Sequence, residues 1–398
     1  MLAPFLTLSA LCTLAFAKYT FELVELNEDD TDRPPPSTGH SLVARKNSLW
    51  LYGGIIEWYT QQGEKGRIQY GHVLWSFDKE ESAWERNLPE GGSAHRKYAL
   101  NESVEVKQGD FLMRGQVQSE RKPNGLVEVK IEQHPGHYTT ISVPPKNLLY
   151  YPPAMNMHVA TTSENERLMY VHPGKGKTGK PMLEMWAYSF EKDTWTQLHW
   201  PRDSATPEPR EMHTGVRMGG GLLIYGGNRA KETFDDAWLF SFGRSAWSRV
   251  RPAFGSPRPP PLWGASSVAY GNTMWLFGGH DNESSCVADL WSLDWDTKTW
   301  RRHDDDGGPA ARKGHSAVVY GHCMIVYGGH DSSAEFMNDL WAFDFEEETW
   351  RKVELDAKAP PRNFHKAEML GSVMYVFGGN NDDGLLNDFW SIDLAGLC

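Results

Sequence analysis

Five pairs of tryptophans in this chain stand nine residues apart: Trp75 and Trp84, Trp186 and Trp195, Trp238 and Trp247, Trp291 and Trp300, Trp341 and Trp350. Loops of unequal length separate the pairs, so the constant interval marks a repeated hairpin and not scattered core residues. Glycine pairs recur beside them, at Gly53-Gly54, Gly226-Gly227, Gly278-Gly279, Gly328-Gly329 and Gly378-Gly379, the last four lying 52, 50 and 50 residues apart. In the stretch Lys313 to Val353, His315 to Tyr320 alternates as a strand, Gly321-His322 turns, and Cys323 to Tyr327 is a near-continuous apolar run. Leu340 to Phe345 and Thr349 to Val353 supply a third and a fourth strand. One sheet of four short strands cannot bury both of its faces, so the units must stack on one another.

A period near fifty residues, with a double glycine followed by a tryptophan-bearing strand and a second tryptophan, resembles the kelch-repeat family. The resemblance runs through nearly the whole chain. It implies an all-β fold, a seven-bladed kelch-type β-propeller of four-stranded antiparallel blades. The count of seven includes one degenerate unit. Thirteen residues separate His213 from Gly226, His315 from Gly328 and His365 from Gly378. The same step back from Arg114-Gly115 reaches Asn101. Val104 to Gly115 then forms a first hairpin, and Leu126 to Glu132 with Tyr138 to Val143 a second that lacks tryptophans. The unit after it replaces the glycine pair by His172-Pro173-Gly174.

Met1 to Ala17 is uncharged, apolar from Leu2 to Phe16, and ends Ala15-Phe16-Ala17, a small-x-small cleavage pattern. It reads as a signal peptide, leaving residues 18–398 as a single propeller domain in a secreted or luminal protein with no membrane span. The alternating stretch Tyr19 to Leu26 has no partner nearby. The last unit stops after Trp390 without a fourth strand, so the N-terminal strand is expected to close the ring. A formal charge of −12 opposes a nucleic-acid partner, which asks for a basic footprint. Without Cys12, three cysteines remain (Cys286, Cys323 and Cys398), so at most one internal disulfide can form. Cys286 and Cys323 fall at opposite ends of their units and are not expected to pair. Cys398, at the chain end, is the candidate to link two chains.

Four sets of residues could carry chemistry. Histidines open the first strands at His40, His158, His213, His315 and His365, and Arg210, Arg312 and Arg362 precede three of them by three residues. Repetition across units favours a structural role. His280-Asp281 and His330-Asp331 follow neighbouring glycine pairs, but zinc needs three or four converging ligands, so these read as turn residues, and no metal or cofactor is expected. Asp236, Asp289, Asp339 and Asp388 precede third-strand tryptophans and are expected to accept backbone N–H bonds. Asn101 and Asn282 open Asn-x-Ser sequons, glycan acceptors in a secreted chain.

No nucleotide-binding, hydrolase-elbow or zinc-protease motif occurs. The expected function is a protein- or glycan-binding scaffold without catalysis, its partner extracellular or luminal. Binding is assigned to the loops after the glycine pairs, with Trp58, Tyr59, Arg229, His280, His330 and Asn380 as candidates. The alternative is a secreted sugar-active enzyme on the same fold, resembling either the galactose-oxidase-like copper radical oxidases or the sialic-acid epimerases.

Overall fold

The structure is a computed structural model, and it describes residues 19–24, 33–56, 69–70, 74–87, 103–108, 111–118, 127–134, 137–143, 148–149, 152–201, 204–282, 285–303 and 307–398. Six four-stranded antiparallel sheets form the propeller. Blade one spans Ser41–Asn87, blade two Val159–Gln197 and blade three Thr214–Val250. Blade four spans Ser266–His303 and blade five Ser316–Val353. Blade six takes three strands from Lys366–Asp393 and its outermost, Glu22–Leu23, from the other end of the chain. Among the described residues no helix is long and apolar enough to cross a membrane.

Expected closure by the N-terminal strand is what the sheet shows. Glu22 lies opposite Ser391 and Leu23 opposite Trp390, while Tyr19–Thr20 runs parallel to Leu355–Ala357 beside blade five. The strand also supplies the aromatic that its blade lacks. In five blades the second tryptophan of the pair sits on the outer strand and packs on a ring at the end of the preceding blade's second strand. Trp195 meets Tyr52 at 5.0 Å, Trp300 meets Tyr225 at 5.3 Å, and Trp350 meets Phe277 at 5.0 Å between ring centroids. Trp247 meets His172 at 5.2 Å and Trp84 meets Phe377 at 5.4 Å. In blade six that place is taken by Phe21, 3% exposed and 4.8 Å from Tyr327.

The blade count differs from the seven expected. The two hairpins of the degenerate unit do form, Ser103–Gln108 with Phe111–Val117 and Val127–His134 with His137–Val143. They join Leu148–Leu149 in a separate five-stranded sheet. The ring closes without them. Six residues preceding the first strands, one per blade, form a closed cycle of backbone bonds around the axis. Met157 N–H donates to Gly39 C=O (2.7 Å), Met212 to Met157 (3.1 Å), Gly264 to Met212 (2.8 Å), Gly314 to Gly264 (2.8 Å), Phe364 to Gly314 (2.7 Å), and Gly39 to Phe364 (3.0 Å). Blade one therefore bonds directly to blade two and leaves no gap for another. Gly53 explains how the two approach so closely, because a Cβ there would lie 2.6 Å from the His158 ring and 2.8 Å from Met155 O. At the equivalent place in its sequence the degenerate unit has Arg114, which lies inside the strand Phe111–Val117.

The cysteine expectation also needs correction. Cys398 does not present a sulfur to another chain, because it is bonded to Cys323, and Cys286 is the free, buried thiol among the described residues. Cys323 opens blade five's second strand beside the turn against which the C-terminal segment packs, and that proximity was not legible in the sequence.

Phe21 closes the interface between blades five and six, so Phe21→Ala should lower the unfolding free energy by about 3–5 kcal/mol, read as a reduced urea midpoint. Leu23→Ala, on the same strand but 54% exposed, should shift it by no more than about 0.5 kcal/mol. Equal effects would show that the strand contributes only its backbone bonds.

Candidate functional site

The loops after the glycine pairs, the links between blades and the axial ring all lie on one face of the propeller. There the residue two places before each first-strand histidine, or its equivalent, pairs with the residue following the glycine pair. The resulting pairs are Thr38 with Ile55, Asn156 with Lys175, Glu211 with Asn228, Trp263 with His280, Lys313 with His330, and Asn363 with Asn380. Side chains then link adjacent blades. Lys175 lies 3.4 Å from Glu211, Asn363 Nδ2 lies 2.7 Å from His330 Nδ1, and Thr38 Oγ1 donates to Asn380 Oδ1 at 3.1 Å. Lys313 Nζ sits 4.3 Å above the Trp263 ring, whose other neighbour, His280, stacks at 4.7 Å and 24°.

Three proposed binding residues are thereby brought into one ring: His280, His330 and Asn380. Arg229 stands beside it on the Asn228–Arg229 hairpin and is held by Glu208 at 2.6 Å and Glu232 at 2.9 Å. A partner's carboxylate must compete with both. Trp58, Tyr59 and Asn101 lie outside the described residues, as does the signal segment. Asn282 is exposed in the loop after His280-Asp281. The two aspartates cap their own turns: Asp281 accepts from Ser285 N at 3.0 Å, and Asp331 from Ser333 N at 2.8 Å and Glu335 N at 3.0 Å. Trp263, Lys313 and Glu211 were missed as candidates. Superposing the repeats would have found them, since each sits two residues before the histidine position.

Beneath this surface, the Arg-x-x-His sets and the aspartates are structural. Arg210, Arg312 and Arg362 are fully buried and each forks onto its blade's aspartate, with contacts of 2.6–3.3 Å to Asp236, Asp339 and Asp388. Each also donates to the first glycine's carbonyl at 2.9–3.0 Å. The same carboxylates accept from the indoles of Trp238, Trp341 and Trp390 at 2.6–2.7 Å. The expectation that they chiefly receive backbone N–H groups is thus replaced by arginine and indole partners. Burial works against ionising Asp236 and Asp339, but the arginine bonds outweigh it and hold both below the usual carboxylate range. Asp289 instead takes Arg302 at 2.7 Å, because blade four has Leu262 where the arginine would be.

The histidines bond across blades. His158 meets Ser41 at 3.0 Å, His315 meets Ser266 at 2.7 Å and His365 meets Ser316 at 2.9 Å; His213 meets His172 at 2.8 Å. At the serine position blade six carries Lys366, which borders the axial channel, and two residues on Glu368, on which its charge acts. Burial lowers the Lys366 ammonium and raises the Glu368 carboxyl to about 7. These two were legible by comparing KAEML with SAVVY and SSVAY in the neighbouring first strands. The cavity at the channel mouth, bordered by Met157, Met212, Phe364 and Lys366, holds about 50 Å³, against roughly 300–1,000 Å³ for small-molecule pockets.

With the architecture in place, comparison with known proteins assigns the family. The KLHDC2/KLHL20/DRC7 Kelch-repeats domain matches residues 102–307 and 251–397, and the chain belongs to the kelch-repeat family. It is similar to host cell factor 2 of Homo sapiens, 32% identical over 66% of this chain and 36% of that protein. It also resembles the flagellar outer-arm dynein alpha chain of Chlamydomonas reinhardtii, 30% identical over 37% of this chain and 4% of that one. A third relative is the N-(sulfonatooxy)prop-2-enimidothioate sulfolyase of Thlaspi arvense, 32% identical over 27% of this chain and 32% of the enzyme. The chain thus spans a third or less of the length of most of these relatives.

Burial holds His40, His158, His172 and His315 down at about 3, with neighbouring Lys366 or Arg side chains adding to it, and lowers His213 and His365 as well. A depressed folded-state value means that the unfolded chain takes up protons first. Stability is then fully present above the unfolded value near 6.5 and is lost as pH falls towards 3, by about 1.4 kcal/mol per pH unit for each histidine. The urea midpoint should be flat from about pH 8 to 7 and fall steeply below about 6.5. A midpoint unchanged at pH 5 would show that these histidines are protonated in the folded protein.

Proposed function

We propose that this kelch propeller is a secreted binding scaffold that holds an extracellular or luminal protein or glycan on the face around the axis. The observation that carries the reading is the Trp263 indole on half-buried loops, with the Lys313 ammonium 4.3 Å from its ring and the His280 imidazole stacked on it at 4.7 Å. Large aromatic side chains and arginine supply a disproportionate share of binding energy. Trp58, Tyr59, Arg229, His330 and Asn380 complete the proposed surface. Secretion draws support from the apolar first seventeen residues and from the Cys323–Cys398 disulfide, a bond typical of oxidising compartments. On this reading Asn101 and Asn282 carry glycans.

A sugar-active or other enzyme is the second reading. It rests on Lys366 at the channel mouth, with Glu368 two residues on, and on the sulfolyase relative. The small volume at the mouth favours the scaffold.

In capture from extracellular fluid by the chain from residue 18 onward, Trp263→Ala and Trp58→Ala should each weaken partner binding by about 2 kcal/mol or more, roughly thirtyfold, with unchanged melting curves. Arg229→Ala should cost less, its charge being already shared by two glutamates. Retained binding in all of these, or binding lost only on substitution at turns of the opposite face, would move the site. In secreting cells the mature chain should begin at Lys18 and lose mass on enzymatic removal of N-linked glycans; an intracellular chain that keeps Met1 would overturn the secretion reading.

A further inference from the structure

On the face opposite the proposed binding surface, blade five departs from the repeat in a way that its fold does not require. The turn between its first and second strands ends in His322, and the second strand opens with Cys323. Neighbouring blades place Asn272-Thr273 and Ser372-Val373 there. Asp344 closes the third strand, as Asp294 and Asp393 do in their blades. Its Oδ1 accepts the turn's N–H groups of Glu346 at 2.9 Å and Glu347 at 3.0 Å. That leaves Oδ2 facing His322 Nε2, 3.2 Å away. The ligand atoms of His322, Cys323 and Asp344 all lie within 4.8 Å of one another. A tetrahedral zinc ion with bonds of roughly 2.0–2.3 Å needs its ligand atoms about 3.3–3.8 Å apart. The adjustment is therefore about 1 Å, and His322 sits on a surface turn with its side chain 39% exposed, where it can make it.

A fourth ligand is already attached. Cys398 Sγ is bonded to Cys323, so cleavage of that bond releases a second thiol at the same place. We propose that reduction of the Cys323–Cys398 disulfide converts this corner of blade five into a zinc site with His322, Cys323, Asp344 and Cys398 as ligands. The conversion is balanced. A dithiol reductant gives up two electrons and two protons, becomes a disulfide, and leaves both cysteines as thiols. Zinc then displaces the two thiol protons to solvent. Charge also closes: two thiolates and a carboxylate exceed the divalent cation by one negative charge, which Arg351 balances, its Nη2 lying 3.2 Å from Cys398 Sγ and 4.0 Å from Cys323 Sγ. A guanidinium beside a thiol favours the thiolate that binds metal. The same guanidinium donates to Leu397 O, which holds the C-terminal segment in place once the disulfide is open.

The test uses the full mature chain, oxidised or reduced with a phosphine, with zinc measured by elemental analysis and cobalt(II) as the spectroscopic probe. The reduced chain should bind one zinc per molecule, show thiolate-to-cobalt charge-transfer absorption, and melt at a higher temperature with zinc than without. The oxidised chain should bind none. His322→Ala, a surface-turn change that leaves the disulfide intact, should weaken zinc binding by at least tenfold, and Cys398→Ser should reduce the cobalt–thiolate absorption. Cys286→Ser should change neither. Equal zinc binding by oxidised and reduced chains, no stoichiometric binding by the reduced chain, or wild-type affinity in His322→Ala would overturn the site. So would loss of binding in Cys286→Ser, which would place the metal at the buried thiol.

Discussion

The closed cycle of six N–H···O=C bonds around the axis is the constraint on which the rest of the molecule depends. Every member has a positive φ: 65–67° at Gly39, Gly264 and Gly314, and 47–56° at Met157, Met212 and Phe364. For a residue with a Cβ, that conformation costs about 1–2 kcal/mol. The three non-glycine members are held there because each both donates to one neighbouring blade and accepts from the other, and a buried amide without a partner costs as much or more. Side chains fit the cycle accordingly. Met157 lies over Gly39 and Phe364 over Gly314, so that a Cβ on either glycine would meet the neighbour at 2.9–3.2 Å. The cycle fixes how many blades fit, and the aromatic contacts farther out then set the angle between them.

Most of this arrangement can be read from the sequence once the repeat is seen. The nine-residue tryptophan interval places the third and fourth strands, the glycine pair marks the close approach of the next blade, and the orphan Tyr19 to Leu26 announces closure from the far end. The blade number was not legible, for a physical reason. Val104 to Gly115 has the alternation of a propeller hairpin, but membership in the ring depends on a partner residue bonding at the axis, and alternation alone carries no such information. Met157, bonded to Gly39 more than a hundred residues earlier, excludes the inserted sheet from the cycle. The candidate face was legible in part. His280, His330 and Asn380 were found because they follow glycine pairs, whereas Trp263 and Lys313 come from the opposite partner of each pair, where no glycine pair stands before them.

The two faces use the repeat differently. Around the axis, equivalent positions carry varied side chains, Thr38, Asn156, Glu211, Trp263, Lys313 and Asn363, over a backbone frame that does not change. The buried Arg–Asp–indole sets make such variation tolerable. A fully desolvated guanidinium bonded to a carboxylate and to a glycine carbonyl holds the loop from below, so the upper residues are released from a structural task. Removing one partner of such a set would leave a buried charge unpaired at a cost of about 3–5 kcal/mol. Its geometry is correspondingly alike in blades three, five and six, while the residues above it are not.

Blade six shows what happens where this economy is broken. It is assembled from both ends of the chain, and it alone puts a lysine and a glutamate where neighbouring first strands carry serine and valine. Two residues apart on a strand, Lys366 and Glu368 share one face, turned towards blade one, where the backbone of Ala44 also bonds the carboxyl. Burial drives the two groups towards each other's neutral partner state, the ammonium downwards and the carboxyl up to about 7. Mutual attraction opposes that shift in both. The charge of Lys366 is felt at His40, His158 and His315, which it helps to keep unprotonated. A single substitution in the repeat thus couples the channel to the histidines that join the blades. Neutral imidazoles are what the serine hydroxyls at 2.7–3.0 Å can bond as donor or acceptor without stranding a charge in the core.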